Sequence, residues 1–482
     1  MTKRFQHNLI LFFILALGLV LRLYKIDNPV ADWHSWRQAD TASVARIYVE
    51  DGIDLLRPRY HDISNIASGF DNPEGWRFVE FPIYNAIHAV LYKAYPAIGF
   101  DKWGRLSSVF ISLGSLVFVY LLGKRFISKE GGLLAAFFFA ALPFNVYFSR
   151  TILPEPLSVF FIVSSLYFFS LYIDTQKRWS IYLSGVLFAL ALLMKPYIGF
   201  YGLAFLYLAW EKYKIKGSLR NIDFWVFLSI VGSPFFFWRG WMWDGDHIRG
   251  IPHWKWAFNG DNIRGRPAFW WWILEERLGR MILGVWAIPA FVLGLLTLKK
   301  GKYPYFMHVL LASQFAFVLT VATASVRHDY YQTLIIPAVC LATAGGFLYL
   351  WNTKSLNTKL ARIFAVASVS AGLFFSFYQI KEFYKVNHPE IMIAGAAADK
   401  LLPKDAIIIA PYNGDTAFLY QTRRKGFPYV VYPIPEMIEK QGAQYWVSVN
   451  FDDQTRQVMN EYTTLEKTDK YVIIDLTKKK GK

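Results

Sequence analysis

The chain has 482 residues, of which 55% are hydrophobic, 18% aromatic and only 18% charged, and its mean hydropathy is +0.26. A soluble globular protein carries about 25% charged residues, so this composition excludes an ordinary soluble enzyme and favours a membrane protein. The net charge of +17 could suggest nucleic acid. The basic residues, however, cluster in short loops between apolar runs, as in cytoplasmic loops of membrane proteins, so we expect no nucleic-acid partner.

Apolar runs long enough to cross about 30 Å of hydrocarbon recur along the chain. The first, from about Asn8 to Leu23, follows two basic residues and has no small-residue cleavage site after it, so we interpret it as an uncleaved span that begins in the cytoplasm. Ten further runs lie near 105–122, 131–148, 156–173, 179–194, 197–211, 222–238, 281–298, 305–325, 329–350 and 361–380. The sequence therefore predicts a mainly α-helical polytopic protein with about eleven transmembrane helices.

One further run, FPIYNAIHAVLYKAYPAIGF, contains His88 and Lys93 and is broken by prolines, so we interpret it as an interfacial helix. If it crossed the membrane, the short Lys/Arg-rich loops would all face outward. If this run does not cross the membrane, the short Lys/Arg-rich loops face the cytoplasm. The longer loop 239–280, which is also basic and is rich in aromatic residues, then falls outside, and we interpret it as a folded external segment. We therefore expect a first external loop at about 25–104 and an external carboxyl end.

The composition changes from about Asn387 onward. The strand-like runs DAIIIAPY, YVVY, YWVSVN and YVIIDL alternate there with helix-like segments near 389–402, 414–424, 434–441 and 454–461. This alternation predicts a small α/β domain with a mostly parallel sheet. We thus divide the chain into a transmembrane domain, 1–386, and an external α/β domain, 387–482.

Two acidic residues beside predicted spans are candidates for chemistry. Asp32 precedes a segment with helical spacing, so it is either the N-cap of that helix or a general base, and the two roles are compatible. Glu155 lies between Pro154 and Pro156 at the outer end of two predicted spans. An acid so close to hydrocarbon is a functional candidate, unless it only reaches headgroup water. We interpret Asp40 as a solvated residue on a helix face.

Four cations lie at predicted outer ends of spans, against the positive-inside trend: Arg105, Arg150, Lys195 and Arg327. An anionic phosphate in the outer leaflet would account for them, with headgroup binding or snorkelling as the alternative for each. Further candidates for substrate contacts are His34, Arg37, His328 and Tyr330. The histidines lack the spacing of metal ligands, so we expect no metal site.

These motifs together resemble the GT-C superfamily of membrane glycosyltransferases, in particular the protein O-mannosyltransferases and the lipid A aminoarabinose transferases. The resemblance covers about the first 200 residues and rests on the order of DWHSWRQADTASVAR, EFPIYNAIHAVLYKAY, GRLSSVFISLGSLVFVYLLGKRF, SRTILPEP and LLMKPYIGF. Two departures are visible. The mannosyltransferases carry an Asp-Glu pair where this chain has Asp32 and Trp33, and the aminoarabinose transferases carry a lysine at the position of Glu80.

The resemblance implies a GT-C-like fold and a hexosyl- or pentosyltransferase. Such an enzyme takes a sugar from a polyprenyl-phosphate carrier, such as undecaprenyl phosphate. It transfers the sugar with inversion to a hydroxyl of a lipid, glycan or protein at the outer face of a bacterial or archaeal plasma membrane. Asp32 would be the essential acid of the first external loop and Glu155 the second acid. Because cationic side chains can stabilise the leaving phosphate, neither a metal nor another cofactor is expected.

Two alternatives from other classes fit about eleven spans, namely a secondary transporter and a non-catalytic assembly protein of an envelope polysaccharide system. Transporters are usually built from paired repeats with broken helices near the midplane. In this chain the charged candidates gather at one predicted face, and the first external loop has about 80 residues. That arrangement favours chemistry at the membrane surface.

Overall fold

The computed structural model describes residues 3–297 and 302–481, so the basic residues Lys299 and Lys300 and the end of the predicted span 281–298 lie outside the described residues. The chain divides into two compact units. The first, here called the helical unit, comprises Met1–Ile26, Arg105–Trp238 and Trp254–Phe383. The second, here called the mixed unit, comprises Asp27–Gly104, Arg239–His253 and Tyr384–Lys482.

The described residues up to Ile380 are mainly α-helical, with a long stretch without α-helix, 51–82, between α2 and α3. In chain order these are α1 (Lys3–Leu23), α2 (Ser35–Glu50), α3 (Ile83–Ala94), α4 (Phe100–Phe126), α5 (Lys129–Ala141), α6 (Pro143–Phe148), α7 (Glu155–Thr175), α8 (Arg178–Met194), α9 (Gly202–Arg220), α10 (Ile222–Met242), α11 (Lys255–Asn259), α12 (Pro267–Trp270), α13 (Ile288–Thr297), α14 (Phe306–Thr320), α15 (Ala322–Arg327), α16 (Ile336–Asn352) and α17 (Thr358–Ile380). A π-helix occupies Trp271–Ile282.

Within the described ranges, six helices are long and apolar enough to cross a membrane: Gln6–Leu23, Phe100–Phe126, Glu155–Thr175, Ile222–Met242, Asp329–Asn352 and Thr358–Tyr384. Helices α8, α13 and α14 are apolar but shorter. The predicted class, a mainly α-helical membrane protein with a small carboxyl-terminal sheet, is confirmed.

Several predicted spans are interrupted helices. The run 131–148 breaks at Leu142, because Pro143 cannot donate the backbone hydrogen bond that would continue α5. The run 197–211 begins with the 3₁₀ helix Pro196–Tyr201, and the run 305–325 breaks between α14 and α15. Apolar composition therefore located these segments but not the breaks within them.

The predicted interfacial helix is α3. Its 12 residues extend over about 18 Å, well short of the hydrocarbon thickness. The backbone carbonyl of Phe100 lies 2.7 Å from His88 Nε2, and Lys93 Nζ donates to the carbonyl of Tyr48 at 3.1 Å. The polar residues that argued against a span thus fix α3 against its neighbours in the mixed unit.

The carboxyl-terminal part of the mixed unit carries a five-stranded sheet in the order β2-β1-β3-β5-β4. Its elements are α18 (Glu390–Leu401), β1 (Ile407–Ile409), α19 (Thr416–Thr422), β2 (Lys425–Phe427), α20 (Ile434–Glu439), β3 (Tyr445–Ser448), α21 (Asp453–Glu461), β4 (Tyr462–Lys467) and β5 (Val472–Lys479). Strand β1 pairs in parallel with β2 and β3, whereas β5 pairs antiparallel with β3 and β4.

The prediction of a mostly parallel sheet therefore holds for β2, β1 and β3 and is wrong for β4 and β5. The connection from β4 to β5 is a tight turn closed by the hydrogen bond from Thr468 N to Tyr471 O, and such a short connection permits only antiparallel pairing. The YVVY run is not a strand. The strand lies just before it, at β2, and ends before Pro428.

The first loop completes this sheet. Ile63 N donates to Gly426 O, and Gly426 N donates to His61 O, each at 3.0 Å, so residues 61–63 pair along the outer edge of β2. The side chain of Ile63 packs into the same apolar core as Phe427 and Trp446. Loop 27–104 and the carboxyl-terminal segment therefore share one core.

Candidate active site

The residues predicted to carry chemistry fall in both units. The helical unit holds Glu155, Lys195, Arg105, Arg150, Arg327, His328 and Tyr330. The mixed unit holds Asp32, His34 and Arg37.

Glu155 and Lys195 form a buried ion pair in the helical unit. Glu155 is the first residue of α7, and Lys195 directly follows the last residue of α8. The two helices pack against each other. Lys195 Nζ lies 2.8 Å from Glu155 Oε1, and the side chains are only 7% and 2% exposed. The carboxylate at the N-terminus of α7 also interacts favourably with the helix dipole.

The other carboxylate oxygen of this pair is available to a ligand. Glu155 Oε2 is buried and accepts no hydrogen bond from the residues that the structure describes. A buried polar atom without a partner costs free energy, and such atoms in native proteins are frequently contacts for a substrate or a water. Glu155 can therefore bind Lys195 and still accept a hydrogen bond from a hydroxyl group.

Aromatic rings surround the ammonium group of Lys195. The rings of Tyr331 and Tyr330 lie 5.7 and 6.0 Å from Nζ, within range of cation–π attraction. The ring of His328 stacks on Tyr330 at 5.4 Å, and next to it Asp329 forms a buried ion pair with Arg277 at 2.5 Å. The structure thus brings four predicted residues into one cluster, here called the Lys195 cluster. Its members are Glu155, Lys195, His328 and Tyr330.

The remaining predicted cations lie in different environments. Arg105 and Arg150 are fully buried, and Arg150 Nη1 donates to the carbonyl of Lys25 at 3.1 Å. Arg327 differs from them, because its side chain is 59% exposed and forms an ion pair with Asp261 at 2.6 Å. Arg277 was not among the residues predicted from the sequence, because it lies within the basic and aromatic loop 239–280.

Asp32 is not the N-cap of α2. The helix begins at Ser35, and its N-cap is His34 in a left-handed conformation at φ 55° and ψ 39°. This turn separates Asp32 from the first helical amides. Instead, the buried carboxylate accepts a hydrogen bond at Oδ1 from Gln38 Nε2 at 2.7 Å. The side chain of Gln38, which no local pattern singled out, therefore holds Asp32 in place.

Arg37 and Asp40, on the same helix, each have a buried partner. Arg37 Nη2 contacts the two carboxylate oxygens of Glu80 at 2.5 and 2.7 Å. Asp40 pairs with Arg77 at 2.5 Å and accepts a hydrogen bond from Thr416 Oγ1 at 2.7 Å. The prediction that Asp40 is solvated is wrong, since its partners lie far away in the sequence and bury it.

Comparisons with known proteins agree with this architecture. The model of the family described as dolichyl-phosphate-mannose-protein mannosyltransferase matches residues 88–238. The structure of ArnT from Cupriavidus metallidurans in the apo state is similar over 96% of this chain and 97% of that chain, with a TM-score of 0.67 at 13% identity. The structure of the same protein bound to undecaprenyl phosphate is similar with a TM-score of 0.62 at 11% identity, again over 96% of this chain and 97% of that chain.

The apo oligosaccharyltransferase from Archaeoglobus fulgidus is similar over 92% of this chain and 70% of that chain, with a TM-score of 0.59 at 9% identity. The chain has a GT-C fold. The predicted resemblance is confirmed, and the GT-C fold extends over nearly the whole chain, whereas the motifs in the sequence covered about the first 200 residues. No curated protein matches the sequence.

Proposed function

We propose that this protein is an inverting glycosyltransferase that moves a sugar from a polyprenyl-phosphate carrier to a hydroxyl acceptor at the outer face of the membrane. The observation that carries the proposal is the buried Glu155–Lys195 pair at the end of a membrane-length helix, in a chain with a GT-C fold. The matching family model and the ArnT complex support a lipid-linked donor, since their descriptions name dolichyl-phosphate-mannose and undecaprenyl phosphate. The enzyme would act in a bacterial or archaeal plasma membrane.

Lys195 is the first candidate ligand for the donor phosphate. Its ammonium group is buried, and a cation shielded from water stabilises a developing negative charge more strongly than an exposed one. The tyrosines beside it restrict its position without neutralising it. Arg105, Arg150 and Arg327 remain the other candidates for this contact.

Asp32 is the proposed general base. As the acceptor hydroxyl attacks the anomeric carbon, a new C–O bond forms on one face of the sugar. The bond to the phosphate oxygen breaks on the other face, and its electron pair leaves with the polyprenyl phosphate. The hydroxyl proton passes to the Asp32 carboxylate, which Gln38 orients. A single displacement of this kind inverts the anomeric centre.

Glu155 supplies a second carboxylate to the reaction. Because Oε1 is paired with Lys195, the buried Oε2 can accept a hydrogen bond from a sugar hydroxyl and orient the donor. The scheme needs no metal, since a monophosphate leaving group can be stabilised by cationic side chains.

The test uses full-length protein in nanodiscs with sugars linked to undecaprenyl phosphate. Mass spectrometry of the lipids that co-purify with the protein first names the donor to supply. We expect release of undecaprenyl phosphate that falls by about 10- to 150-fold in the double variant Lys195→Gln/Glu155→Gln, which leaves no buried charge unpaired. Release should be retained in Lys440→Gln, a control at an exposed lysine. Donor that stays intact while it crosses the bilayer of proteoliposomes would identify a transporter instead.

A further inference from the structure

The mixed unit contains a cavity of about 410 Å³ that the proposed catalytic residues do not line. This volume lies within the range of small-molecule sites. Its walls come from α2, from the start of α4 and from α18 and α19. The charged residues of the wall are Arg46, Asp101, Lys102, Asp399 and Arg423.

Arg46 is a rigid part of this wall. Its Nη1 donates to the carbonyl of Tyr420 at 2.8 Å, and its guanidinium lies 3.9 Å from the ring of Tyr420 and 5.2 Å from the ring of Phe100. The Tyr420 hydroxyl donates to Asp101, which lies 4.0 Å from Arg46. A positive charge is therefore held in one orientation at the cavity before any ligand arrives.

The cations around the cavity outnumber the carboxylates. Asp399 alone faces Lys404 at 2.6 Å, Arg424 at 2.8 Å and Arg423 at 3.3 Å. Asp101 is matched by Arg46, and Lys102 is paired with Asp27 at 2.6 Å. The group around Asp399 therefore leaves a surplus of positive charge, which favours an anionic ligand.

Two titratable groups respond to this positive field. The pKa of His61 is well below its usual value, first because the ring is buried and then because Arg46, Lys425 and Arg424 disfavour its protonation. Burial tends to raise the pKa of Asp399, but hydrogen bonds from Lys404 and Arg424 bring it below the usual value. Both directions agree with a surplus of cations.

The position of the cavity indicates where its ligand comes from. Phe100, Asp101 and Lys102 belong both to the wall and to the beginning of α4, which is long enough to cross a membrane. The end of a span lies at the depth of lipid headgroups. Phe100 and Met392 add apolar surface to the wall, as a ligand with attached hydrocarbon requires.

We propose that this cavity binds the anionic headgroup, a phosphate or a carboxylate, of the membrane-anchored acceptor. The assignment of the bound lipid as the acceptor rests on the proposed function. Arginine side chains suit this role because the planar guanidinium donates two parallel hydrogen bonds to a phosphate or carboxylate. The charged wall would hold the headgroup while the acceptor hydroxyl reaches the reaction centre.

The probe is dioctanoyl phosphatidic acid, with dioctanoylglycerol as its neutral counterpart, titrated against full-length protein by native mass spectrometry. We expect the acid to bind and Arg423→Gln to weaken its binding by about tenfold, the worth of one hydrogen bond to a charged group. Lys102→Gln tests a second cation of the wall in the same way. Arg456→Gln, at an exposed arginine of α21 in the same unit, is the control and should bind like wild type.

Arg424 and Lys404 still pair with Asp399 in Arg423→Gln, so this variant should fold, and its thermal unfolding checks that it does. Wild-type affinity in both Arg423→Gln and Lys102→Gln would overturn the proposal. If inorganic phosphate binds the cavity as tightly as phosphatidic acid does, the cavity recognises a free anion. That result would overturn the claim that its ligand is a lipid.

Transfer kinetics on the same preparations separate this inference from the proposed function. An enzyme that transfers sugar with an unchanged acceptor KM in Arg423→Gln refutes the acceptor site and leaves the function intact. A third outcome is that Arg423→Gln no longer binds phosphatidic acid, while the wild-type protein releases undecaprenyl phosphate from no donor. The headgroup site would then be supported, but the proposed function and the role of the bound lipid as acceptor would both be refuted.

Discussion

Lys195 Nζ and Glu155 Oε1 lie 2.8 Å apart, and both side chains are almost completely buried. Removing two charges from water costs about as much as their attraction returns, so a buried pair contributes little net stability. Breaking the pair is costly, because the remaining charge is left buried without compensation. A pair of this kind at the end of a membrane-length helix therefore suggests a role beyond stability.

The single variants Lys195→Gln and Glu155→Gln should each lose about 3–5 kcal/mol of stability, because each leaves one buried charge. The double variant should recover most of that loss, since it leaves none. It should still lose about 1.5–3 kcal/mol of donor binding or turnover, the contribution of the missing hydrogen bond to phosphate. Thermal unfolding and release of undecaprenyl phosphate measure the two effects.

The matched control for this cycle is the exposed pair of Lys440 and Glu436, whose double Gln variant should match wild type in both measurements. Full donor turnover in a stable Lys195→Gln/Glu155→Gln protein would show that the buried pair has only a structural role. The phosphate contact would then be sought at Arg105 or Arg150.

The variant Asp32→Asn should retain the fold, because the Asn side-chain oxygen can still accept the hydrogen bond from Gln38. It cannot accept a proton at neutral pH, so turnover should fall by about 10²-fold or more while donor binding is unchanged. Asp51→Asn, at the far end of α2, is the control. Near-normal transfer by a folded Asp32→Asn protein would rule out Asp32 as the base and make Glu155 the next candidate.

The stability of the mixed unit should depend on pH through Asp62. Burial raises the pKa of Asp62 from 3.8 to about 6, so the folded state binds the proton more tightly than the unfolded state. The stabilisation is complete below about pH 4 and is lost as the pH rises through about 6. Relative to Asp62→Asn, wild type should therefore gain about 1 kcal/mol between pH 7.5 and pH 5.

Unfolding followed by tryptophan fluorescence at the two pH values measures this difference. Comparison with Asp62→Asn cancels the opposite effect of His61, whose lowered pKa makes the folded state less stable in acid. A difference between the two proteins that does not change with pH would mean that Asp62 titrates as an exposed carboxylate.

Residues 387–482 should lie outside the cytoplasm, because the basic loops predict a cytoplasmic start and an odd number of spans. A reporter fused after Lys482 should be active only in the external compartment. A fusion truncated after Arg220, within a predicted cytoplasmic loop, should show the opposite activity. A cytoplasmic signal from the fusion after Lys482 would reverse the topology and, with it, the proposed outer-face chemistry.

Features that depend on local sequence were predictable. The membrane-length helices follow from apolar length, and Glu155 and Lys195 stood out because charges beside hydrocarbon are rare. Their pairing follows from the short connection between α7 and α8, which places the start of one helix beside the end of the other. Helix α3 was recognisable from the polar residues that fix it.

Features that depend on distant partners were not predictable from local patterns. Lys425, Gly426 and Phe427 form a strand because β1 and the first loop flank them, although Lys and Gly are both depleted in strands. Asp40 looks like a surface residue until Arg77, 37 positions away, pairs with it. Asp32 does not cap α2, which was one of the two roles predicted for it, because a left-handed turn at His34 delays the start of the helix.

The pairing of residues 61–63 with Gly426 has a consequence for biosynthesis. A chain made at about 5–20 residues per second presents its first loop roughly 20–70 s before the strand that the loop must join. During that interval Ile63 lacks its core and His61 lacks its backbone partner. We therefore expect a chaperone to bind the first loop during synthesis. In a chain truncated before β2, the loop would never acquire its core or its backbone partner.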